Sequence, residues 1–177
     1  MPIAMAATFR PGWVQNVFAD VAAEARHKYR AAQDTGGTGD YTGLTFFTPN
    51  INIFRDPRWG RGMETYGEDP YLTARMGLAC VEGLQHGWEE DWQGRPLLTA
   101  ACLKHFAVHS GPEGTRHEFD SRVSDRDLRT TYLPAFEYII KNSDVRQVMC
   151  GYNRLNGSPC CTNRRLFDIL RNEWQYD

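Results

Sequence analysis

Apolar residues recur at steps of three and four between Trp13 and Gln33, the spacing that places side chains on one face of a helix. The apolar face consists of Val14, Val17, Phe18, Val21, Ala22, Ala25 and Tyr29. Pro11-Gly12 precedes the pattern and a glycine-rich run follows Asp34, so both ends carry residues at which helices start and stop. The sequence therefore predicts one long amphipathic helix here.

The helical spacing recurs three more times along the chain. It predicts a helix over about 70–85, for which Pro70 suits the first helical position, and a second over about 124–142. A last helix is expected after a cap at Thr162 or Asn163. All three are amphipathic, so each is expected to cover a core with one face.

Three short apolar stretches lie between these helices and are typical of strands. They cover residues 44–48, with an extended continuation to Phe54, then 97–103 after a polar turn over 87–95, and finally 145–151. The resulting order is helix, strand, helix, strand, helix, strand, helix. Such alternation indicates a mainly parallel sheet covered by helices, as either a (β/α)8 barrel or an open doubly wound sheet.

Long polar loops follow each predicted strand, over residues 55–69, 105–123 and 152–161. They run to roughly 15 residues, against a usual length of about 2 to 6 for such connections. The unusually long loops therefore lie at the carboxyl ends of all three strands, which is the active-site face of a barrel. No loop carries the glycine-rich phosphate turn that an open sheet usually has there, so the barrel is favoured.

Composition narrows the classes of function. The 177 residues are 41% hydrophobic, with 20 Lys plus Arg against 22 Asp plus Glu, which suits one globular domain. The formal net charge of −2 argues against a nucleic-acid partner. A membrane span needs about 20 nearly uncharged apolar residues, and the longest such stretch, 96–103, is far too short.

Five cysteines are too few and too unevenly placed for a disulfide scaffold, and they leave the cellular compartment undetermined. Cys150 is interpreted as a small buried apolar residue, because no neighbour plainly acts as its base. Cys160 and Cys161 are adjacent and form the candidate redox pair. The strained ring that such a vicinal disulfide requires makes this the less favoured interpretation.

The loops contain the candidate chemistry. In the first loop, Arg55, Arg58 and Arg61 alternate with acidic residues and Trp59. This pattern indicates either a set of donors for polar substrate groups or a salt-bridged loop that packs on its own tryptophan. In the second, Lys104 and His105 stand side by side at the end of an apolar strand and suggest two donors for adjacent hydroxyls.

Three further residues are candidates for the same edge of the sheet. Tyr152 directly follows the third strand, so its hydroxyl can reach this edge, although a lone tyrosine is more often part of a core. His109 and His117 raise the question of a metal. No metal site is predicted, because the glutamate of a His-Glu-x-x-His motif is missing, and both histidines are expected to be hydrogen-bonded loop residues.

The loop motifs together resemble the amino-terminal barrel of glycoside hydrolase family 3, the retaining exo-β-glycosidases that include β-glucosidases and β-xylosidases. The resemblance rests on Arg55-Asp-Pro-Arg-Trp-Gly-Arg61 with Glu64 and Gly67-Glu-Asp-Pro70, on Lys104-His-Phe106, and on Tyr152-Asn-x-x-Asn-Gly157, in the family's order and spacing. It implies an α/β fold in which residues 1–177 form a single partial domain, part of a (β/α)8 TIM-like barrel that is incomplete at both ends.

The resemblance also implies roles for individual residues. Arg61 and Lys104 are expected to donate to the hydroxyls of the sugar, His105 to assist Lys104, Tyr152 to lie close to the nucleophile, and Glu64 to belong to the same substrate-binding set. No catalytic residue is expected within the chain. The nucleophilic aspartate is expected just beyond Asp177 and the acid/base glutamate in a later domain, so the fragment alone is expected to be inactive.

The implied substrate is an oligosaccharide or aryl glycoside with terminal β-linked xylose or glucose, and the implied protein partners are downstream domains of the same chain. No cofactor, nucleic acid or membrane is expected. The family suggests a periplasmic or extracellular location. The β-N-acetylglucosaminidase branch fits badly, because Phe106 is followed by Ala-Val-His rather than Pro-Gly-His. A non-catalytic carbohydrate-binding relic is the alternative from another class of function.

Overall fold

The computed structural model describes residues 1–37, 39–88 and 94–177. Parts of the glycine-rich run after Asp34 and of the polar turn predicted over 87–95 lie outside these residues. The helices are α1 Pro2–Ala6, α2 Pro11–Asp34, α3 Pro70–His86, α4 Asp125–Asp127, α5 Pro134–Asn142 and α6 Arg164–Asp168. The strands are β1 Thr45–Phe46, β2 Ala100–Phe106, β3 Asp120–Ser121, β4 Gln147–Cys150, β5 Arg154–Leu155 and β6 Ser158–Pro159.

The main sheet is parallel, with the strand order β1-β2-β4. The central strand β2 pairs Thr45 with Ala100 on one side and Cys102 with Gln147 on the other. A second, smaller sheet joins β3, β5 and β6 within the loops that follow β2 and β4. The predicted parallel sheet with intervening helices is confirmed, and both long loops contain secondary structure that the sequence pattern did not indicate.

Strand β2 lies further along the chain than predicted, at Ala100–Phe106 instead of 97–103. Lys104 and His105 therefore belong to the strand and not to the loop after it. The extended segment after β1 continues the pairing, since Lys104 donates its backbone N–H to Pro49 at 3.1 Å and its carbonyl accepts from Ile51 at 2.9 Å. The prediction followed the apolar run, which ends at Leu103, whereas the strand continues through the polar residues Lys104 and His105.

The helix predicted over 124–142 is divided into α4, a π-helical turn at Leu128–Tyr132 and α5. Pro134 explains the division, because proline has no backbone N–H to donate and crowds the preceding turn. The chain adjusts through a wider hydrogen bond, from the N–H of Leu133 to the carbonyl of Leu128 at 2.9 Å. The last predicted helix is likewise α6, capped by Asn163, followed by a π-helical segment.

The core lies between the sheet and the helices that cover it. Phe106 of β2 is buried against Phe136 of α5, with ring centroids 5.1 Å apart, and against Trp174 near the end of the chain at 5.8 Å. On the outer side α2 packs on α3, and α3 packs on α5. Among the described residues, none of the helices has the length and apolar composition that a membrane span requires.

Gly83 lets α2 and α3 approach closely. A methyl group on Gly83 would overlap the carbonyl oxygen of Gln15, which belongs to backbone and cannot swing away. We expect Gly83→Ala to lower the free energy of unfolding by about 1–3 kcal/mol, the usual range for overpacking. Gly12→Ala, in α2 with nothing within 4 Å of the new methyl group, is the matched control. Urea unfolding of the two variants in the complete protein checks the prediction, and equal stability would contradict it.

Candidate functional site

Side chains from three separate segments meet at the carboxyl-terminal edge of the main sheet. Arg61 comes from the loop after β1, Lys104 from β2 and Tyr152 from the residues after β4. Arg61 Nη1 donates to the Tyr152 hydroxyl at 3.4 Å, and Lys104 Nζ lies 3.7 Å from Glu64 Oε2. His105 adjoins them, its ring 6.0 Å from that of Tyr152. We call these five residues the edge cluster; all of the residues predicted to bind substrate are in it.

Arg61 and Glu64 are held together by local structure. A 3₁₀ turn at Gly62–Glu64 places them on one side, where Arg61 Nε and Nη2 donate to the two oxygens of Glu64 at 2.7 and 2.8 Å. Gly62 is needed for a steric reason, because any side chain there would overlap the ring of Phe54. The bidentate pair fixes the guanidinium plane while leaving Nη1 directed at Tyr152.

The charges of the edge cluster do not cancel. Burial lowers the pKa of Lys104, Glu64 raises it in part, and the nearby charge of Arg61 lowers it again. Hydrogen bonds from Arg61 lower the pKa of Glu64, and the same contact raises the pKa of Arg61. The side chains of Lys104 and Arg61 are only 15% and 17% exposed. Two cations thus share one carboxylate and retain N–H groups for an uncharged polar ligand.

His105 is buried and held by an asparagine that sequence reasoning missed. Asn52 contacts both the backbone and the ring of His105, and Asn50 donates to Glu64 Oε2 at 3.5 Å. The signal lies in the run Pro49-Asn-Ile-Asn-Ile, whose alternation puts both amides on one side of an extended segment. The two amides therefore hold Glu64 and His105 of the edge cluster in place.

Tyr152 is 47% exposed, so it is not a core residue. Its ring lies against three histidine rings, with centroids 6.0 Å from His105, 5.2 Å from His109 and 4.9 Å from His117. These edge-on and tilted ring contacts orient the phenol while its hydroxyl accepts from Arg61. The arrangement leaves one side of Tyr152 open to a ligand.

The prediction of hydrogen-bonded loop histidines holds for His117 and is wrong for His109. His117 Nε2 accepts from Arg116 Nε at 3.2 Å. Both ring nitrogens of His109 are buried without a hydrogen bond among the described residues, because the ring packs between Trp59 and Tyr152. Burial lowers the pKa of His109 to about 4, which keeps the ring neutral.

The oxygen of Asn153 is also buried and unpaired, although this side chain lies close enough to raise the pKa of His109 in part. Within the described ranges, no group of three or more histidine, cysteine or acidic side chains is arranged to hold a metal ion.

The three arginines of the first loop do not act together. Arg58 pairs with Asp56 at 2.9 Å, and Arg55 donates to Ser110 at 2.9 Å beneath the ring of Phe119. Only Arg61 of the three reaches the edge cluster. The salt-bridged alternative is thus confirmed for Arg58, whereas Arg55 donates to hydroxyl groups. A role as substrate donor stays a prediction for Arg61.

A disulfide joins Cys150 at the end of β4 to Cys161, with their Cα atoms 5.2 Å apart. Cys160 is a free, buried thiol. The interpretation of Cys150 as a small buried apolar residue is wrong, since it is disulfide-bonded, and the vicinal pair of Cys160 and Cys161, which was not favoured, does not form. The physical reason is the hairpin of β5 and β6, which turns the chain back so that Cys161 meets Cys150 while Cys160 faces the apolar cavity beside Phe106.

The fold and the edge cluster define part of a TIM-barrel-like α/β domain with a polar site at the carboxyl ends of its strands. The model of the glycosyl hydrolase family 3 N-terminal domain matches residues 1–177. The chain belongs to this family, as its motifs implied.

Similar proteins agree on the family. A xylan 1,4-β-xylosidase from Xylanibacter ruminicola is 50% identical over 181 residues, which cover 99% of this chain and 20% of that protein. A β-xylosidase/α-L-arabinofuranosidase from Medicago sativa subsp. varia is 39% identical over 179 residues, 99% of this chain and 22% of the relative. The chain therefore spans about a fifth of the length of these relatives.

Solved structures give the same result. A family 3 exo-β-xylosidase in complex with a xylobiose aziridine probe has a TM-score of 0.84 and 32% identity, over 100% of this chain and 22% of that one. β-Glucosidase 3B from Thermotoga neapolitana in complex with glycerol has a TM-score of 0.81 and 32% identity, over 99% of this chain and 22% of the other. Both are similar across nearly the whole chain.

Proposed function

We propose that this chain forms the sugar-binding part of the active site of a retaining exo-β-glycosidase that removes terminal β-linked xylose or glucose. The observation that carries the proposal is the meeting of Arg61, Lys104 and Tyr152 around Glu64, from three segments far apart in sequence. A pyranose presents adjacent hydroxyls that can accept from a guanidinium and an ammonium. The neighbouring aromatic ring of Tyr152 offers apolar surface to the sugar.

The charges of the edge cluster suit this chemistry. Hydrogen bonds to a sugar's 2-hydroxyl tighten as the oxocarbenium-like transition state forms, and substrate distortion together with such bonds is worth several kcal/mol in retaining enzymes. Lys104 and Arg61 are largely buried cations that are already oriented by Glu64, so they need little reorganisation to donate. They can therefore contribute more to the transition state than to the bound ground state.

Glu64 is not proposed as the nucleophile. Both of its oxygens accept from Arg61, and this contact lowers its pKa, which suits a permanent counter-ion better than an acid. A retaining mechanism needs two carboxyl groups about 5 to 5.5 Å apart. We infer that the nucleophilic aspartate follows shortly after Asp177 and that the acid/base comes from a later domain of the same polypeptide.

The test is to assay the complete protein on aryl β-xyloside and aryl β-glucoside. The similarity to proteins named as β-xylosidases favours the xyloside, for which we expect the higher kcat/KM. Binding of xylose without hydrolysis of either aryl glycoside would instead identify a non-catalytic carbohydrate-binding protein. If the complete protein neither binds xylose nor hydrolyses either aryl glycoside, the proposal is wrong.

We further propose a periplasmic or extracellular location, supported by the Cys150–Cys161 disulfide. Disulfides persist in oxidising compartments and are rare in the cytosol. Thiol labelling of the protein recovered from its native cells tests this proposal. Two labelled cysteines at positions 150 and 161 would contradict it.

The same disulfide predicts a stability effect. We expect Cys161→Ser to lower the free energy of unfolding by about 2–4 kcal/mol, because the bond restricts the unfolded chain. Adding dithiothreitol to the wild type should lower its melting temperature toward that of the Cys161→Ser variant. Cys160→Ser is the matched control, since this neighbouring thiol is free and the variant should remain sensitive to the reductant. A Cys161→Ser variant as stable as the oxidised wild type would contradict the prediction.

A further inference from the structure

Asn52 makes three hydrogen bonds to His105, two with its backbone and one with its ring. Its Oδ1 accepts from the backbone N–H of His105 at 2.9 Å and from ring Nδ1 at 3.0 Å, and its Nδ2 donates to the carbonyl of His105 at 2.8 Å. Asn50 in turn accepts the backbone N–H of Asn52 at 3.1 Å. The asparagine is 3% exposed, so water does not compete for these bonds.

The backbone of His105 determines which way the Asn52 amide faces. A peptide N–H can only donate, so the atom opposite it is the amide oxygen, and a peptide carbonyl can only accept, so the atom opposite it is the amide nitrogen. The oxygen carries no proton. Nδ1 of His105 must therefore carry the hydrogen that joins them, which leaves a lone pair on Nε2 of the neutral ring.

The surroundings of His105 keep its ring neutral. Burial, together with the smaller electrostatic effects of His109, Arg61 and Lys104, lowers the pKa of His105 to about 2. The other titratable group that faces the ring is the phenol of Tyr152, 6.0 Å away. A protonated imidazole would stand beside two cations without a carboxylate of its own.

We propose that Asn52 is a positioning residue that holds His105 in the Nδ1–H form, so that Nε2 accepts a hydrogen bond from one hydroxyl of the sugar. This inference rests on the proposed function. It reverses the sequence-based expectation of two neighbouring donors, because Lys104 donates while His105 accepts. Such a pair selects a ligand group that can do both, which is the property of a hydroxyl.

The test uses the complete protein and non-hydrolysed aryl 1-thio-β-xylosides in which the hydroxyl at position 2, 3 or 4 is replaced by fluorine or hydrogen. Fluorine is small and polar but cannot donate. At the position that faces His105, we expect the fluoro and deoxy compounds to inhibit equally weakly, each at least tenfold worse than the parent. A fluoro compound as good as the parent at all three positions would overturn the proposal.

Asn52→Asp tests the part played by the asparagine. The carboxylate still accepts from Nδ1 but raises the pKa of His105, so at acidic pH Nε2 acquires a proton. We expect the preference for hydroxyl over fluorine to fall at least tenfold as pH is lowered in this variant and to stay constant in the wild type. A pH-independent preference in Asn52→Asp would contradict the assigned role.

Asn163→Asp is the matched control. Asn163 is also buried, and its Nδ2 donates to the carbonyl of Leu155 at 3.3 Å while its Oδ1 caps α6. The substitution removes the same kind of bond outside the edge cluster, so inhibition should follow the wild-type pattern. A change equal to that in Asn52→Asp would show a structural effect only.

Neutron diffraction from the unliganded complete protein reads the tautomer without any ligand. Deuterium on Nδ1 and none on Nε2 is expected, and deuterium on Nε2 would overturn the proposal even if the Asn52 variant fails to fold. The correct tautomer in a protein that binds no glycoside would disprove the proposed function and the role of Nε2 in it, while the contact between Asn52 and His105 would stand.

Discussion

Replacing Lys104 with alanine is expected to lower kcat/KM on an aryl β-glycoside at least tenfold in the complete protein, a loss of about 1.4 kcal/mol or more in transition-state stabilisation. The ammonium is largely buried, 3.7 Å from Glu64, and water cannot easily take its place. Removing one preorganised donor from such a site commonly costs about 10²–10³ in rate. Steady-state kinetics on the favoured aryl glycoside measure the loss.

Lys141→Ala is the matched control for this experiment. Lys141 also pairs with a glutamate, Glu137, at 2.5 Å, but on the exposed surface of α5. Exposed ion pairs of this type are worth about 0.3–0.5 kcal/mol, so kinetics and stability should both stay close to those of the wild type. Unchanged kcat/KM in Lys104→Ala would remove Lys104 from the proposed site.

The helices and the parallel sheet were predictable because their signals are local or nearly so. The apolar face of α2 is read from residues three and four apart, and the confirmed helix extends only slightly beyond the predicted one. The signal that determines where β2 lies is not local in sequence. Lys104 and His105 are in the strand because β4 pairs with Lys104 and Phe106 on one side and the segment after β1 pairs with Lys104 on the other. No pattern within β2 itself contains that information.

The edge cluster was predictable to the extent that motifs identify residues. Arg61, Glu64, Lys104, His105 and Tyr152 were named from the family resemblance, and the structure brings them together. Their supporting residues were not found, since an asparagine in an extended segment has many ordinary uses. The contacts of Asn52 depend on the register between two segments more than 50 residues apart, and register is a property of the folded sheet.

The disulfide was missed for a related reason. The sequence offered only the adjacent Cys160 and Cys161 as a candidate pair, which was not favoured, whereas bonding depends on which Cα atoms come within reach. The hairpin of β5 and β6 decides this, because it returns the chain to the end of β4. Short strands of two residues carry almost no periodic signal, so both the hairpin and the pairing become visible only in three dimensions.

Glu64→Gln is expected to lower kcat/KM at least tenfold at neutral pH and to move the basic limb of the pH profile toward lower pH. Glutamine keeps the shape but removes the single carboxylate that Arg61 and Lys104 share in the edge cluster. Burial and the charge of Arg61 already lower the pKa of Lys104, and Glu64 is the main group that opposes them. Without it the pKa of Lys104 falls further.

The direction of the shift follows from the charged form that is needed. An ammonium donates as proposed only while it is protonated, so activity is retained below the pKa of Lys104 and lost as the pH rises through it. Lowering that pKa therefore brings the loss to a lower pH, and kcat/KM measured at half-unit steps from pH 5 to 10 locates it. Glu137→Gln, which removes the partner of Lys141 on the surface of α5, should leave the basic limb in place. A basic limb that does not move in Glu64→Gln would show that the charge of Lys104 does not limit the reaction, and the electrostatic account of the edge cluster would be wrong.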